Sequence, residues 1–302
     1  MKRKKEQLSQ EKKLFSNKRL IMAMVLVITI VLGLLISAFL LWAREVKFSS
    51  KAAIIDQLGE DFPNTEFNET VTSLLENNGF NVSYYSSESV NVTFYKGLAK
   101  YNYGVIIFRA HSALRKGETV VDFFTSEEYS EGKYVSEQED GLLTRGYYLW
   151  KPDKFYFAVT PKFIENLDGY FPKSIIIAMG CNSLNETCTE MANAFINKGA
   201  KAYIGWTGLV NPSHTDSETI KLLRRLLDEN QTIMDAVSTV SKDWSFYPPS
   251  EMKFYPLSAG NLRISDLMAE AKAIAALQTT FYNFERASLI YIANVARFIK
   301  LP

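Results

Sequence analysis

Short apolar runs alternate with amphipathic stretches along the first half of the chain, a pattern that predicts strands alternating with helices. The run Lys51–Asp56 predicts a first strand, and residues 66–77 repeat apolar side chains at helical spacing before a break at Asn78-Gly79. Residues 80–85 alternate like a second strand, and residues 94–101 favour a second helix. This order favours a parallel sheet with helices on both faces.

Two later apolar runs, both rich in isoleucine, end abruptly at reactive residue types. The run of residues 103–108 leads to His111, and the run of residues 174–179 leads to Gly180 and Cys181. Continuous apolar runs of this length are typical of buried parallel strands. Because the carboxyl ends of parallel strands lie along one edge of a sheet, we expect His111 and Cys181 to meet there.

The segment between these two runs, about residues 113–160, differs in character because charged loops separate two strand-like stretches. We interpret it as an antiparallel hairpin or flap with strands at residues 120–124 and 154–159, followed by a short helix at residues 163–167. The insertion therefore separates the two strands that carry the candidate residues.

Beyond Cys181 the pattern predicts further helices and strands. The stretch Thr187-Cys-Thr-Glu190 matches a capping box, so we predict a helix over residues 188–198 that ends at Gly199. We expect the remaining elements to be a strand at residues 200–205, a helix around residues 218–227, an edge strand at residues 254–264 and a helical tail over residues 266–302.

The N-terminal region has the pattern of a membrane anchor. Residues 20–42 form a stretch of 23 residues without a charge, enough for a helix to cross a bilayer, and residues 1–19 carry eight Lys or Arg against two Glu. The positive-inside rule then places the N-terminus in the cytoplasm and the chain beyond a linker, residues 43–50, outside it. We therefore predict a single-pass signal anchor in the cell membrane and an extracytoplasmic domain over residues 51–265.

The composition is that of a globular domain behind such an anchor. The chain has 302 residues, of which 47% are hydrophobic and 22% are charged, so a sizeable core can form. Because the basic tail directly precedes the apolar span, we attribute it to membrane topology and predict no nucleic-acid partner. Five Asn-x-Ser/Thr sequons fit an extracytoplasmic domain, at Asn68, Asn81, Asn91, Asn185 and Asn230.

Nucleophilic acyl transfer requires at least a nucleophile and a base, and a thiol and an imidazole at one sheet edge can serve as these two groups. Cys181 would be the nucleophile and His111 the general base, while backbone N–H groups near Ser112, Gly180 and Cys181 would bind the oxyanion. Asp56, at the end of the first strand, would orient substrate or cap a loop. The chain has only two cysteines and two histidines, too few for a zinc site, and no phosphate-binding loop, so we predict no metal and no cofactor.

Each candidate residue has an alternative interpretation. For Cys181 the alternatives are a disulfide with Cys188 and an inert buried thiol. For His111 the alternative is a hydrogen-bonded histidine at a strand end. His214 is the competing base, although no apolar strand leads directly to it.

The sequence around these residues resembles the caspase-hemoglobinase fold, the group of caspases, gingipains, clostripains, separases and CHAT domains. The resemblance rests on the apolar strand that ends in Ala110-His111-Ser112 and on Met179-Gly-Cys-Asn-Ser183, followed by residues 191–205 with their Gly-Ala-Lys-Ala-Tyr-Ile-Gly strand. It covers about residues 51–265, and the cysteine region is similar to separase-like and CHAT domains. The resemblance implies a three-layer α/β sandwich with a mostly parallel sheet, preceded here by the transmembrane helix.

By matching position, the resemblance implies that His111 and Cys181 form the dyad of a cysteine endopeptidase with a polypeptide substrate. The chain departs from the usual pattern of this family in two places. Ser112 replaces the glycine that usually follows the histidine, and residues 206–210 lack the Asp that relatives cleaving after basic residues often carry. The expected function is a membrane-anchored, caspase-like cysteine peptidase. The alternatives are an inactive relative that serves as a binding or scaffold module, and an α/β ligand-binding sensor domain.

Overall fold

Two compact units make up the chain in the computed structural model. One is Val46–Lys272, and the other comprises Met1–Glu45 and Ala273–Pro302. The structure describes residues 24–38, 47–115, 117–148 and 150–298.

The predicted membrane span lies only partly within the described residues. Residues 24–38 form a helix, α1, whereas residues 20–23 and 39–42 of the predicted span lie outside the described part, as does the basic tail of residues 1–19. Among the residues that are described, no helix is both long enough and apolar enough to cross a membrane.

Strands and helices alternate along the first half of the unit Val46–Lys272, as the apolar pattern predicts. The strands of the described chain are β1 (Lys51–Asp56), β2 (Asn81–Tyr85), β3 (Val105–Arg109), β4 (Ser112–Leu114), β5 (Val121–Glu128), β6 (Leu143–Tyr148), β7 (Lys151–Val159), β8 (Ile175–Ala178), β9 (Ala202–Trp206) and β10 (Met252–Tyr255). The helices after α1 are α2 (Thr65–Asn77), α3 (Val92–Gly97), α4 (Val135–Glu139), α5 (Pro161–Glu165), α6 (Glu190–Asn197), α7 (Pro212–Leu227), α8 (Ile233–Ser238) and α9 (Ile264–Phe298).

Six strands form the larger sheet, in the order β10-β9-β8-β3-β1-β2. All neighbouring pairs are parallel except β9 and β10, which are antiparallel. The mostly parallel sheet is therefore confirmed, and the last strand lies at the predicted edge. That strand ends at Tyr255, earlier than the predicted residue 264, because Pro256 has no N–H to donate to the ladder.

Alternating side chains of this sheet build two hydrophobic cores, one on each face. In β1, Ala53 and Ile55 face one core, while Ala52 and Ile54 face the other. Helices α3, α5 and α6 cover the first face, and α2, α7 and α8 cover the second. Each fully buried isoleucine contributes about 1.5–3 kcal/mol, so the apolar runs that predict these strands also supply much of the stability. The sheet lies between two helical layers, which is the predicted α/β class.

The insertion between the two candidate residues forms a second sheet and not a simple hairpin. Its four strands pair antiparallel in the order β4-β5-β7-β6. The sequence pattern does not predict β6, because Arg145 and Gly146 interrupt its apolar positions. Gly146 packs against Phe124, where a Cβ would lie 2.6 Å from Cε1 of the ring, so the missing side chain makes room for that ring.

The predicted capping box after Cys181 is wrong. Helix α6 begins at Glu190 with Thr189 as N-cap, and Thr187 Oγ1 instead donates to Asn185 Oδ1 at 2.7 Å. The nearby amide oxygen offers the threonine a local alternative to the helix N–H groups. Cys188 therefore lies in the turn before the helix, where it forms an isolated bridge with Asn185.

The helix predicted at residues 218–227 begins earlier, at Pro212. Asn211 caps it by accepting from Ser213 N at 3.0 Å, and proline suits the first helical position because an N–H is not needed there. His214 consequently lies in the first turn of α7. The pattern also misses α8, whose 6 residues are too few for a helical period to show.

Candidate functional site

The two candidate residues reach the same cleft from neighbouring strands. His111 follows the end of β3 and Cys181 follows the end of β8, and these strands are paired in the parallel sheet. Both residues line a cleft of about 530 Å³, together with residues of the second sheet. The structure thus brings the two predicted reactive groups to one edge of the sheet.

The Cys181 thiol is partly buried and bonds to the backbone of Val210. Val210 N donates to Sγ at 3.4 Å, and Sγ donates to Val210 O at 3.6 Å. Burial raises the pKa of Cys181 above its ordinary value; the Val210 backbone bond works against this shift, and Asp243 adds to it. The thiol is therefore protonated at neutral pH and needs a base before it can attack.

Cys181 and Cys188 are both free thiols, so the structure does not contain the disulfide that the sequence leaves open. Cys188 is buried, and its Sγ lies 3.5 Å from Thr187 Oγ1. The described lining of the cleft includes Cys181 and does not include Cys188. Cys181 is accordingly the thiol that a ligand in the cleft can reach.

The His111 ring lies among aromatic side chains. Its centroid is 4.6 Å from that of Tyr148 and 5.0 Å from that of Trp150. The backbone N–H of His111 donates to Gln57 Oε1 at 2.9 Å. The ring atom Nε2 is buried and has no hydrogen-bond partner among the described residues. Such an unpartnered nitrogen costs about 1–3 kcal/mol, which a partner within reach would recover.

Burial lowers the pKa of His111 from 6.5 to about 4; Asp61 opposes the shift, whereas Arg109 and Lys151 add to it. The folded chain therefore holds a neutral imidazole over a range in which the unfolded chain takes up a proton. A neutral imidazole is the form that can act as a general base.

Acid is expected to destabilise the fold through His111. As the pH falls from 6.5 to about 4, the unfolded state binds a proton that the folded state excludes, so this residue removes up to about 3 kcal/mol of stability. Urea unfolding of the full chain at several pH values measures the effect, and a His111→Gln variant should lose less stability on acidification. The same pH dependence in both proteins would contradict the low pKa.

No hydrogen bond joins the imidazole to the thiol, although both groups lie in the described part of the chain. The ring of Phe62, in the segment after β1, lies 6.3 Å from that of His111, whereas the thiol bonds to Val210, in the segment after β9. Strands β1 and β9 flank the β3–β8 pair on opposite sides. The two side chains are therefore turned toward opposite neighbours.

Ser112 and Gly180 hold the two candidate segments together. Ser112 Oγ donates to Cys181 O at 2.7 Å. A Cβ at Gly180 would lie 2.5 Å from Ala110 O and 2.9 Å from Ser112 N, so only glycine allows this approach. Both residues lie beside Cys181, and the role of their N–H groups as oxyanion donors stays a prediction.

Asp56, which the sequence predicts to orient substrate or to cap a loop, is absent from the described lining of the cleft. Its Oδ1 accepts from Arg109 Nη1 at 2.6 Å, and its Oδ2 accepts from Tyr84 OH at 2.8 Å and from Asn68 Nδ2 at 3.0 Å. Both carboxylate oxygens are thus bonded inside the protein. These bonds link Asp56 to β2, β3 and α2, and its role in orienting substrate stays a prediction.

The same contacts form a buried ion cluster that sequence reasoning misses. Arg109 Nε and Nη2 donate to the two carboxylate oxygens of Asp216, each at 2.8 Å, and Nη2 also donates to Phe62 O at 2.7 Å. An arginine at the end of an otherwise apolar strand is the signal that points to such a cluster, because a buried guanidinium needs carboxylate partners. Its carboxylates come from positions distant in sequence, which no local pattern indicates.

The competing base, His214, contacts residues that do not belong to the described lining of the cleft. Its Nε2 is 3.0 Å from Ser241 O, and its ring centroid is 5.6 Å from that of Trp206. The described lining of the cleft does not include it, which favours His111 as the candidate base. The described residues also contain no group of three or more His, Cys, Asp or Glu side chains placed to hold a metal ion.

No protein-family model matches the chain, and a search of curated proteins finds no significant match.

Proposed function

We propose that the chain is a caspase-like cysteine endopeptidase with Cys181 as the nucleophile and His111 as the base. The observation that carries this proposal is that both residues line one cleft at the ends of neighbouring parallel strands. The free Cys181 thiol and the mostly parallel sheet support it. We propose further that residues 20–42 anchor the domain on the outer side of the cell membrane.

The reaction would begin when the imidazole takes the proton from the Cys181 thiol. The thiolate attacks the carbonyl carbon of a peptide bond, and negative charge moves to the oxygen, which backbone N–H groups near Ser112 and Gly180 would bind. As the C–N bond breaks, the imidazolium donates its proton to the departing amine. Water that is deprotonated by His111 then hydrolyses the thioester and restores the thiol. These steps need no cofactor.

This chemistry requires the imidazole to leave its present position. The protonated thiol bonds to Val210, and the neutral imidazole packs against aromatic rings, an arrangement that we interpret as the resting state of the proposed enzyme. A turn of the His111 side chain toward Cys181 would give the buried Nε2 a hydrogen-bond partner and would give the thiol its base.

Peptide-bond cleavage by the full chain tests the proposal. A library of unfolded polypeptides is incubated with the protein, and new chain ends are mapped by mass spectrometry. Cys181→Ala and His111→Ala should each lower the cleavage rate by about three orders of magnitude or more, because the pair acts as one unit. The chain provides matched controls in its other cysteine and its other histidine, since Cys188→Ala and His214→Ala should retain activity. Cleavage that persists in Cys181→Ala would contradict the proposal.

A polypeptide-binding module without turnover is the second candidate function. It is favoured by the missing hydrogen bond between His111 and Cys181 within the described site, and by the aromatic lining of the cleft. Phe124, Tyr148 and Trp150 offer apolar and aromatic contact to a bound chain. Library peptides that bind the wild type and Cys181→Ala equally, and are cleaved by neither, would establish this function instead.

A further inference from the structure

Four aromatic side chains surround the imidazole of His111. The ring centroid of Phe124 lies 6.2 Å from that of His111, and we name the other three residues the aromatic clamp: Phe62, Tyr148 and Trp150. Their ring centroids lie 6.3, 4.6 and 5.0 Å from that of His111, respectively. Trp150 stacks on Tyr148 at 5.2 Å with 10° between the ring planes, and Phe62 packs edge-on against Trp150 at 5.4 Å. The clamp residues therefore support one another as well as the imidazole.

Polar contacts tie the aromatic clamp to the segment after β1. Gln57 Nε2 donates to Tyr148 OH at 2.7 Å. Trp150 Nε1 donates to Asp61 Oδ2 at 3.4 Å, and Lys151 forms an ion pair with the same carboxylate. The second sheet is thereby fastened to the parallel sheet directly beside His111.

The aromatic clamp and the bonded thiol lie on opposite sides of the site. The polar partners of the clamp follow β1, whereas the thiol bonds to Val210, which follows β9 on the other side of the site. In this position His111 Nε2 is buried without a partner in the described structure. In this position the ring of His111 packs against its aromatic neighbours, but its Nε2 does not accept the proton of the Cys181 thiol.

Two of the three residues of the aromatic clamp also line the cleft. His111, Tyr148 and Trp150 all contribute to its lining, so a polypeptide in the cleft contacts the same rings that hold the imidazole. Trp150 is 48% exposed, which means that it can move without opening the hydrophobic core. Rings that pack against the imidazole are therefore also part of the wall of the cleft.

We propose that the aromatic clamp holds His111 in a resting position and that a polypeptide entering the cleft releases it. This inference rests on the proposed peptidase function and adds its regulation. On release the imidazole turns toward Cys181 and accepts the thiol proton, which leaves a thiolate beside an imidazolium. Opening of the clamp is thus the step that creates the nucleophile.

Chemical modification of histidine tests the aromatic clamp without any need for turnover. Diethyl pyrocarbonate reacts with neutral imidazole, and the full chain has only two histidines, so peptide mapping reports His111 and His214 separately. In the wild type the pKa of His111 is about 4, so its reactivity should stay level from neutral pH down to about pH 5. In Trp150→Ala the pH at which reactivity falls by half should rise from about 4 toward the ordinary value of 6.5, because removal of the indole exposes the imidazole.

Tyr147→Ala is the matched control for Trp150→Ala. Tyr147 is 51% exposed, close to the 48% of Trp150, and belongs to the same hairpin. Its ring packs against Phe155, at a centroid distance of 5.9 Å, and does not belong to the aromatic clamp. The Tyr147→Ala variant should therefore keep the pH profile of the wild type.

Alkylation of Cys181 tests the link between the aromatic clamp and the thiol. Each unit by which a neighbouring imidazole lowers a thiol pKa raises the thiolate fraction at neutral pH by about tenfold. Trp150→Ala should accordingly react with iodoacetamide about tenfold faster at Cys181 than the wild type does. Adding His111→Ala to that variant should remove the gain. A gain that survives in the double variant would mean that Trp150 only covers the thiol, and would overturn the proposal.

The two readouts separate failure of the aromatic clamp from failure of the peptidase function. If the pKa of His111 is near 6.5 in the wild type, or does not move in Trp150→Ala, the clamp is refuted whether or not peptides are cleaved. If both readouts change as expected and the library is still not hydrolysed, the clamp is supported and the peptidase function is refuted.

Discussion

Replacing Arg109 with leucine should lower the free energy of unfolding by about 3–5 kcal/mol. The arginine is 1% exposed and pairs with two buried carboxylates, Asp56 and Asp216. Burial opposes its charge, but the bonds to Asp216 and Asp56 outweigh burial and raise the pKa of Arg109 above its ordinary value. Without the guanidinium, both carboxylates stay buried with no counter-charge. Urea unfolding of the full chain measures the loss.

An exposed ion pair provides the control for this prediction. Lys100 and Asp168 form a pair at the surface, where solvent screens the charges, so Lys100→Gln should leave the stability nearly unchanged. Neutralising the two carboxylates in the Arg109→Leu background, with Asp56→Asn and Asp216→Asn, should recover part of the stability. A loss for Arg109→Leu as small as that for Lys100→Gln would contradict the role given to the cluster.

Gly180→Ala should destabilise the fold by about 1–3 kcal/mol and should also abolish function in the cleft. The new Cβ would meet Ala110 O at 2.5 Å and Ser112 N at 2.9 Å. These are backbone atoms, which cannot move aside as a flexible side chain can. The segments that carry His111 and Cys181 must therefore separate, and the bond from Ser112 Oγ to Cys181 O is lost. Urea unfolding and peptide cleavage or binding report the two effects.

Gly208→Ala is the control for the close approach at Gly180. Gly208 O accepts from Asn182 N at 2.8 Å, so it lies near the same site. A Cβ at Gly208 would lie 3.5 Å from Ser250 Cβ, an ordinary contact. This variant should stay within about 1 kcal/mol of the wild type. Equal stability and function of the two alanine variants would show that the site does not need the glycine at position 180.

The strands of the larger sheet could be predicted because each buries a short apolar run. Lys51–Asp56 is a strand with the predicted bounds, and the runs before His111 and Cys181 became the adjacent strands β3 and β8. The helix after the first strand begins one residue earlier than predicted, at Thr65, where the side chain of Asn64 caps it. Local sequence is sufficient to predict these elements because the apolar pattern of a strand and the cap of a helix involve residues that are close in sequence.

Other features could not be predicted, either because residues distant in sequence determine them or because two local contacts compete. Strand β6 contains a glycine and an arginine, and it is a strand because it pairs with β7 and packs against Phe124. The capping box failed because Asn185 offered Thr187 a closer partner. Asp56 was predicted to orient substrate or to cap a loop, and no local pattern indicated that Arg109, which is 53 residues away in sequence, engages its carboxylate.

By itself the sequence determined the α/β class, the parallel strands and the edge at which His111 and Cys181 lie, because hydrophobic burial follows from local patterns of side chains. Only the tertiary structure decided which way the two reactive groups point. Gln57 and the aromatic clamp hold His111 on one side, and Val210 holds the thiol on the other. Strand order sets the edge of the sheet at which each strand ends. A side chain takes the rotamer that its spatial neighbours allow, and here those neighbours come from remote parts of the chain.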